Sequence, residues 1–272
     1  ASGQATVAVG KESNASGSSA VSAGYQSAAA GDNAVAVGNK ASASATNAIA
    51  TGLRATATGT RAIATGAGSS ATGEQSLANG FTAKASGNDS IALGNAANAS
   101  MANATAIGTG AVASDNNAVA LGAGSTTKGA IAYQSDTFFG KRYVFAGGSP
   151  SSVVSIGSDG KERQLVNVAA GRINGQSTDA INGSQLYAVV DAVSNHHWVV
   201  GGNTTAQNTG APKVSDKFDV KNKDIVEFQN GNGTKATIEY TAADQSSGNP
   251  AKTVVKYHAN IVNGDNTEVV YN

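Results

Sequence analysis

Three histidines, His196, His197 and His258, are the first residues whose chemistry could be metal binding. A zinc site needs imidazoles or carboxylates converging on one point, and the adjacent His196 and His197 face opposite ways on either a helix or a strand. Cysteine is absent, which removes thiolate ligands and disulfides together. Serine is abundant, yet no Gly-x-Ser-x-Gly elbow presents one as a nucleophile. Acidic groups are scattered singly through the first 129 residues, so no carboxylate pair for glycoside chemistry stands there. Glycine-rich stretches are frequent because glycine is frequent, and none follows a strand to open a helix. The reading is of a protein that is not an enzyme and carries no metal and no cofactor.

Binding classes narrow in the same way. Eighteen basic and 18 acidic residues cancel, leaving no electrostatic footprint for nucleic acid or for direct membrane contact. No apolar run approaches the ~20 residues of a membrane span. No Arg-Gly-Asp tripeptide is present. No signal peptide opens the sequence, and Ala1 falls inside a repeat, so the chain reads as a fragment of something longer.

The elements that remain are repetitive. Glycine recurs at 10, 24, 38, 52, 66, 80, 94, 108 and 122, a period of 14 without a slip. Ahead of each lies a strand-like phrase such as Val7-Ala8-Val9, Val35-Ala36-Val37 or Ile91-Ala92-Leu93. A second phrase, Ala-Ser/Thr-Gly, falls halfway, as at Ala15-Ser16-Gly17 and Ala71-Thr72-Gly73. Seven residues accommodate a short strand and a tight turn but no useful helix. Glycine at the corners supplies positive φ. Fourteen residues per coil give a perimeter of roughly 46 Å, a very thin solenoid. The expectation is nine coils around a single file of Val, Ile, Leu and Ala, with lateral self-association covering the rest. Ala45, Met101 and Asp115 replace the halfway glycine, and Thr56 and Thr105 degrade the apolar position; local irregularities are expected there, not breaks.

Two other solenoid functions fit poorly. Calcium-binding repeats need an Asp in every turn, and only Asp32, Asp89 and Asp115 occur before residue 130. Ice-binding solenoids need long threonine ladders, and the run Thr51, Thr58, Thr65, Thr72 stops after four rungs.

Past residue 129 the composition shifts: 12 of the 14 aromatics and 25 of the 36 charges lie there, which places a boundary near 125–150. Gly147-Gly148-Ser149-Pro150 is a plausible joint. Residues 151–182 alternate strand-like runs with turns at Gly157, Gly160 and Gly171. Thr178 or Asp179 could cap a helix, but Asn182-Gly183 favours a second start at Ser184. From there Leu186, Val189, Val190 and Val193 share a face, as in an ordinary core helix or one heptad of a coiled coil. Strand-like segments follow at Trp198–Val200, Lys217–Val220, Ile225–Phe228, Thr237–Tyr240 and Thr253–Tyr257, a small β domain of about five strands.

These features resemble the trimeric autotransporter adhesins with YadA-like heads. The family's head phrase, Asn-Ser-Val-Ala-Ile-Gly, is similar to Asn33–Gly38, Asn47–Gly52, Asp89–Gly94 and Asn117–Gly122. Glu162–Leu165, Asn167–Gly171, Thr178–Asn182 and Gln185-Leu186 fall in the order of the family's neck. The β domain opening at Trp198 resembles a Trp-ring type module. The resemblance implies a mainly β fold: a left-handed parallel β-roll over 1–129, a connecting segment 130–150, a neck with a short coiled-coil helix over 151–194, and a β module over 195–272, all in a homotrimer. It implies neck or trimer roles for Arg163, Asn167, Asp179, Asn182, Leu186, Val193 and Trp198. Asn33, Asn47, Asp89 and Asn117 are candidate ligand contacts. Expected partners are further copies of the chain and host matrix proteins such as collagen, fibronectin or laminin. The expected location is the bacterial cell surface, through a C-terminal outer-membrane anchor absent from this sequence. A structural spacer or self-associating module is the alternative function.

Overall fold

The computed structural model describes residues 1–194, 197–200, 218–221, 234–241 and 252–259. The chain divides into two compact units, Ala1–Asn182 and Gly183–Asn272.

In the first unit each 14-residue coil lays down one three-residue strand and one two-residue strand, such as Val35–Val37 and Ser42–Ala43. The longer strands stack into a parallel sheet of ten and the shorter ones into a parallel sheet of eight. Register is kept by a constant offset of 14: Val35 lies on Ile49, and Ser42 on Thr56. Ala45, Met101 and Asp115 leave both ladders continuous.

The interior differs from expectation. Buried apolar residues of the described chain are alanines alone, four inward small positions per coil, as with Ala34, Ala36, Ala41 and Ala43. Val, Ile and Leu point outward, with Val9 60% and Leu121 47% exposed. The cause is the pleat: in a three-residue strand only the middle side chain faces inward, and the aliphatics occupy the first and third places. Two sheets joined by corners of four or five residues leave the inward positions room for nothing larger than a methyl or hydroxymethyl group. Serines that enter this space are bonded locally: Ser22 Oγ lies 2.7 Å from Ser27 Oγ, and Ser90 Oγ donates to the Gly87 carbonyl at 2.6 Å.

The corners are type II turns. Ser13 N donates to Gly10 O at 3.2 Å while Glu12 sits at φ +61°. The left-handed residue is therefore two places after the glycine, and it recurs every seven residues with side chains as different as Lys40, Arg54, Thr82 and Asn117. Each is held by its neighbour; Asn33 N, for example, donates to the Ser18 carbonyl one coil back at 2.7 Å. The period-14 glycines, such as Gly66 at φ +120°, have a dihedral closed to side chains. The halfway glycines have ordinary φ but stack so closely that a Cβ on Gly73 would overlap the Gly87 carbonyl.

The roll does not end at the ninth coil. Val154–Ser155 forms the tenth strand, pairing with Val119 and Ala120. Between them the chain leaves the roll and builds an antiparallel hairpin, Ser135–Phe138 with Lys141–Val144, in the segment that the sequence left unassigned.

In the second unit a helix runs Gly183–Ser194, beginning one residue before the expected Ser184. No helix forms at 178–182, so Thr178 and Asp179 cap none. Strands His197–Val200 and Phe218–Lys221 pair antiparallel, as do Thr234–Thr241 and Lys252–Ala259. The segment expected at 225–228 lies outside the described residues, as do His196 and the turns at 201–203, 230–233 and 264–266.

Candidate functional site

Because the inward positions are all small, everything that can recognise a partner sits on the outer surfaces, and these differ sharply. The outer face of the ten-stranded sheet carries Val7, Val21, Val35, Ile49, Ile63 and Leu77 in one file. A second file two residues on includes Val37, Leu93, Ile107 and Leu121. The outer face of the eight-stranded sheet carries Asn14, Ala28, Ser42, Thr56, Ser70, Lys84, Asn98 and Val112, a mostly small and polar surface. Thr51 and Thr65 stand on the aliphatic face, whereas Thr58 and Thr72 flank the polar one, so the seven-residue threonine run is split between faces.

The edge between the sheets gathers the candidate ligand residues. Asn33, Asn47, Asp89 and Asn117 are corner residues in the left-handed region, at φ +56° to +60°. Asparagine and aspartate tolerate that conformation better than most residues, which is one reason for their presence. They also bond along the edge: Asn33 Nδ2 donates to Asn47 Oδ1 at 3.3 Å, and Asn103 Nδ2 to Asn117 Oδ1 at 3.0 Å. Asn103 belongs to this ladder but escaped the sequence reading, because Thr105 follows it where the phrase has an aliphatic residue. Asp32 and Asn88 accept from the preceding coil's Ser18 and Glu74 amides, at 2.8 and 3.1 Å.

At the far end Arg163 folds back onto the roll. Its Nη1 donates to Ser125 Oγ at 2.9 Å and to the Ile156 carbonyl, and its Nη2 to the Ala123 carbonyl. A shallow cleft of 530 Å³ opens here, lined by residues including Lys128, Ile131, Val154, Asp159 and Arg163. Lys128 pairs with Asp159 across its mouth. Arg172 clamps Asp179 with Nε–Oδ2 at 2.7 Å and Nη2–Oδ1 at 3.1 Å. These bonds, with one from the Arg172 backbone amide, hold the Asp179 carboxyl below its ordinary range. Asn182 Nδ2 donates to the Val168 carbonyl at 3.0 Å, and Asn167 adopts φ +60°. Arg163, Arg172 and Asp179 thus find partners within their own chain.

The neck's apolar side chains are uncovered: Leu165, Val166, Ile173 and Ile181 are all exposed. So are Leu186, Val189, Val190 and Val193 on the helix, which buries nothing among the described residues. Trp198 lies in the strand His197–Val200, paired with Val220. Among the described residues no three His, Asp or Glu converge to hold a metal.

Comparison with known proteins finds two family models, one curated relative and two solved structures. A model of the YadA head domain repeat matches residues 1–27, 15–41, 29–55, 43–69, 71–97 and 99–125. A model described as the coiled stalk of trimeric autotransporter adhesin matches residues 164–211. The autotransporter adhesin BtaE of Brucella suis biovar 1 (strain 1330) is 40% identical over 137 residues, which cover 50% of this chain and 18% of that relative. The chain thus spans under a fifth of the curated relative it matches. Two solved structures are similar in part. One is the C-terminal YadA-like domain of a Burkholderia pseudomallei protein, 45% identical over 39% of this chain and 44% of that one, with TM-score 0.30. The other is the collagen-binding domain of the Yersinia adhesin YadA, 23% identical over 69% of this chain and 98% of that one, with TM-score 0.42.

Proposed function

The chain belongs to the YadA-like trimeric autotransporter adhesins, and from that premise we propose that it is a homotrimeric surface head that binds host matrix or cells through its small-polar face. The observation that carries this is the contrast between the two outer faces. One file, from Val7 to Val119, is aliphatic in every coil but that of Thr105, too much apolar surface to leave in water, so this is the face that copies of the chain turn toward one another. The opposite faces, with the asparagine edge beside them, then point outward.

Such a surface offers a modest hydrogen-bonding group at most of its 14-residue steps. An extended, repetitive ligand such as a collagen, fibronectin or laminin fibre can meet several at once, so affinity arises from multiplicity. Location at the bacterial surface, held through an outer-membrane anchor elsewhere in the protein, follows from the same reading.

The test is binding of the isolated chain to immobilised collagen, fibronectin and laminin, and to itself, alongside sedimentation. A trimer that binds a matrix protein, and loses binding when Thr56 and Ser70 are both changed to Glu, supports the proposal. Self-binding without any matrix binding would replace it with the spacer or self-associating role.

A further inference from the structure

The hairpin inserted between the ninth and tenth strands of the roll has no role in the reading so far. It is a built element. Tyr133 N donates to Gly148 O at 2.8 Å and Phe145 N to Gln134 O at 2.8 Å, extending the ladder below Ser135–Phe138 and Lys141–Val144. The Tyr133 and Phe145 rings stack at 5.4 Å, and Gln134 Nε2 donates to Ser149 Oγ at 2.7 Å. Gly148 packs so closely that a Cβ would stand 2.6 Å from Gln134 Cα.

Its exposed surface carries Lys141 and Arg142 on the second strand together with several uncovered apolar groups. Ile131 is 83% exposed, Val144 70% and Phe139 fully, with Phe138 about half. The apex is a two-residue turn, Phe139-Gly140, at φ +51° and +77°. That type I′ turn favours Asn-Gly, and a bulky ring at the first position runs against local preference. Neither turn chemistry nor packing within the chain explains Phe139, so the explanation lies with what the apex touches.

We infer that the hairpin is an intersubunit latch whose apex, Phe138 and Phe139, docks on the outward aliphatic face of a second copy of the chain. This rests on the trimeric reading proposed above and adds to it a contact outside the stacked rolls. Three observations favour a second copy over a foreign ligand. Phe138 and Phe139 at the apex and Val144 on the stem stand uncovered, and a lone two-stranded hairpin is marginal in water unless it packs on something always present. The chain follows the roll through Thr126 and Thr127, which pair with Val112 of the eight-stranded sheet, and returns at Val154 beside Val119, so the insertion starts on the polar sheet and rejoins the roll on the aliphatic face that copies share. That surface offers what two phenyl rings need, the outward Leu93 and Leu121, 41% and 47% exposed.

The chain has no cysteine, so Phe139→Cys carries a unique benzophenone label for photo-crosslinking in the full chain. Crosslinks to the roll of another copy are expected. In parallel, Phe138→Thr with Phe139→Asn keeps a strand former and restores the favoured turn residue, so the hairpin itself should persist. Its trimer is expected to dissociate about tenfold more readily in sedimentation, as loss of two anchoring aromatics implies. Crosslinks confined to the same chain, or a double variant as tightly trimeric as the parent, would overturn the latch while leaving the trimer standing. A parent chain that sediments as a monomer would overturn both. Loss of matrix binding by the double variant, with its trimer unchanged, would assign the apex to a foreign ligand instead.

Discussion

Arg172 and Asp179 face each other across a seven-residue loop, their guanidinium and carboxylate joined by two side-chain bonds of 2.7 and 3.1 Å. Just outside the loop they close, Gly171 lies so near the Ala180 carbonyl that there is no room for a side chain. The clamp lowers the Asp179 pKa, first through the Arg172 side chain and then through its backbone amide. A carboxylate with a depressed folded pKa contributes stability that is present above its unfolded pKa and is lost as pH falls through the folded one. The neck loop is therefore expected to open under acid before the roll does, because the roll's alanine core contains no titratable group. Amide exchange of residues 172–182 across the acid range measures this. Asp179→Asn should open the same amides at neutral pH and abolish their pH dependence.

Two kinds of glycine in one repeat should respond differently to substitution. Gly66→Val forces a β-branched residue to φ +120° with its Cβ 2.6 Å from the Gly80 carbonyl oxygen. A loss of about 2 kcal/mol or more is expected. Gly110, by contrast, is a corner residue at φ +65° with nothing within 4 Å of a Cβ, at a place where other coils carry Lys40 or Arg54. Gly110→Asn should change stability by no more than about 0.5 kcal/mol in either direction. Thermal melts of the two variants decide it; equal losses would show that the dihedral alone does not separate them.

Ala64 lies at the centre of its strand, fully buried between Ala50 and Ala78. Ala64→Leu would place three further carbons where stacked coils leave space for a methyl, and a loss of about 3 kcal/mol or more is expected. Ile63→Ala, one residue earlier on the outer face, should leave a monomeric roll nearly unaffected and weaken association instead. Denaturation and sedimentation of the pair separate the two effects.

The repeat was legible because a solenoid stacks identical positions, so a constraint at one corner is written again every 14 residues. Which way the aliphatics point was not, because alternation gives two faces without saying which is the inside. That choice depends on how closely the two sheets approach, and only the three-dimensional corner sets that distance. The left-handed corner residues were illegible for another reason: ladder bonds hold them whatever the side chain, so Arg61 and Thr82 give no more sign of φ than any surface residue. The hairpin escaped because Phe139-Gly140 lacks the asparagine that announces a tight turn. Asn33, Asn47, Asp89 and Asn117 recur at one phase of the repeat, and the structure sets them along one edge.

Helix residues Leu186 and Val193 are 58% and 60% exposed, so among the described residues they hold nothing in place. Leu186→Asp with Val193→Asp is therefore expected to leave the strand spectrum and melting of the isolated roll unchanged, while shifting a trimer toward monomer. Analytical ultracentrifugation below micromolar concentration checks it, and an undiminished trimer would assign assembly to the roll alone.

Arg163 terminates the roll. Past the tenth strand no further coil supplies partners, and its guanidinium takes that place, reaching the Ala123 and Ile156 carbonyls and the Ser125 hydroxyl. Without it these acceptors face the 530 Å³ cleft at the end of the stack. Arg163→Ala should cost about 1–2 kcal/mol, since three charge-assisted bonds are lost but water can replace part of them. Arg163→Lys should recover only a fraction, because one ammonium group cannot span three acceptors held apart by two coils. The damage should also be local. Solenoid coils contact mainly their neighbours, so exchange protection is expected to fall at residues 119–126 and 153–157 and to remain unchanged at the first coils. Uniform loss of protection from Val7 onward would show that Arg163 acts on the whole roll and not as its end cap.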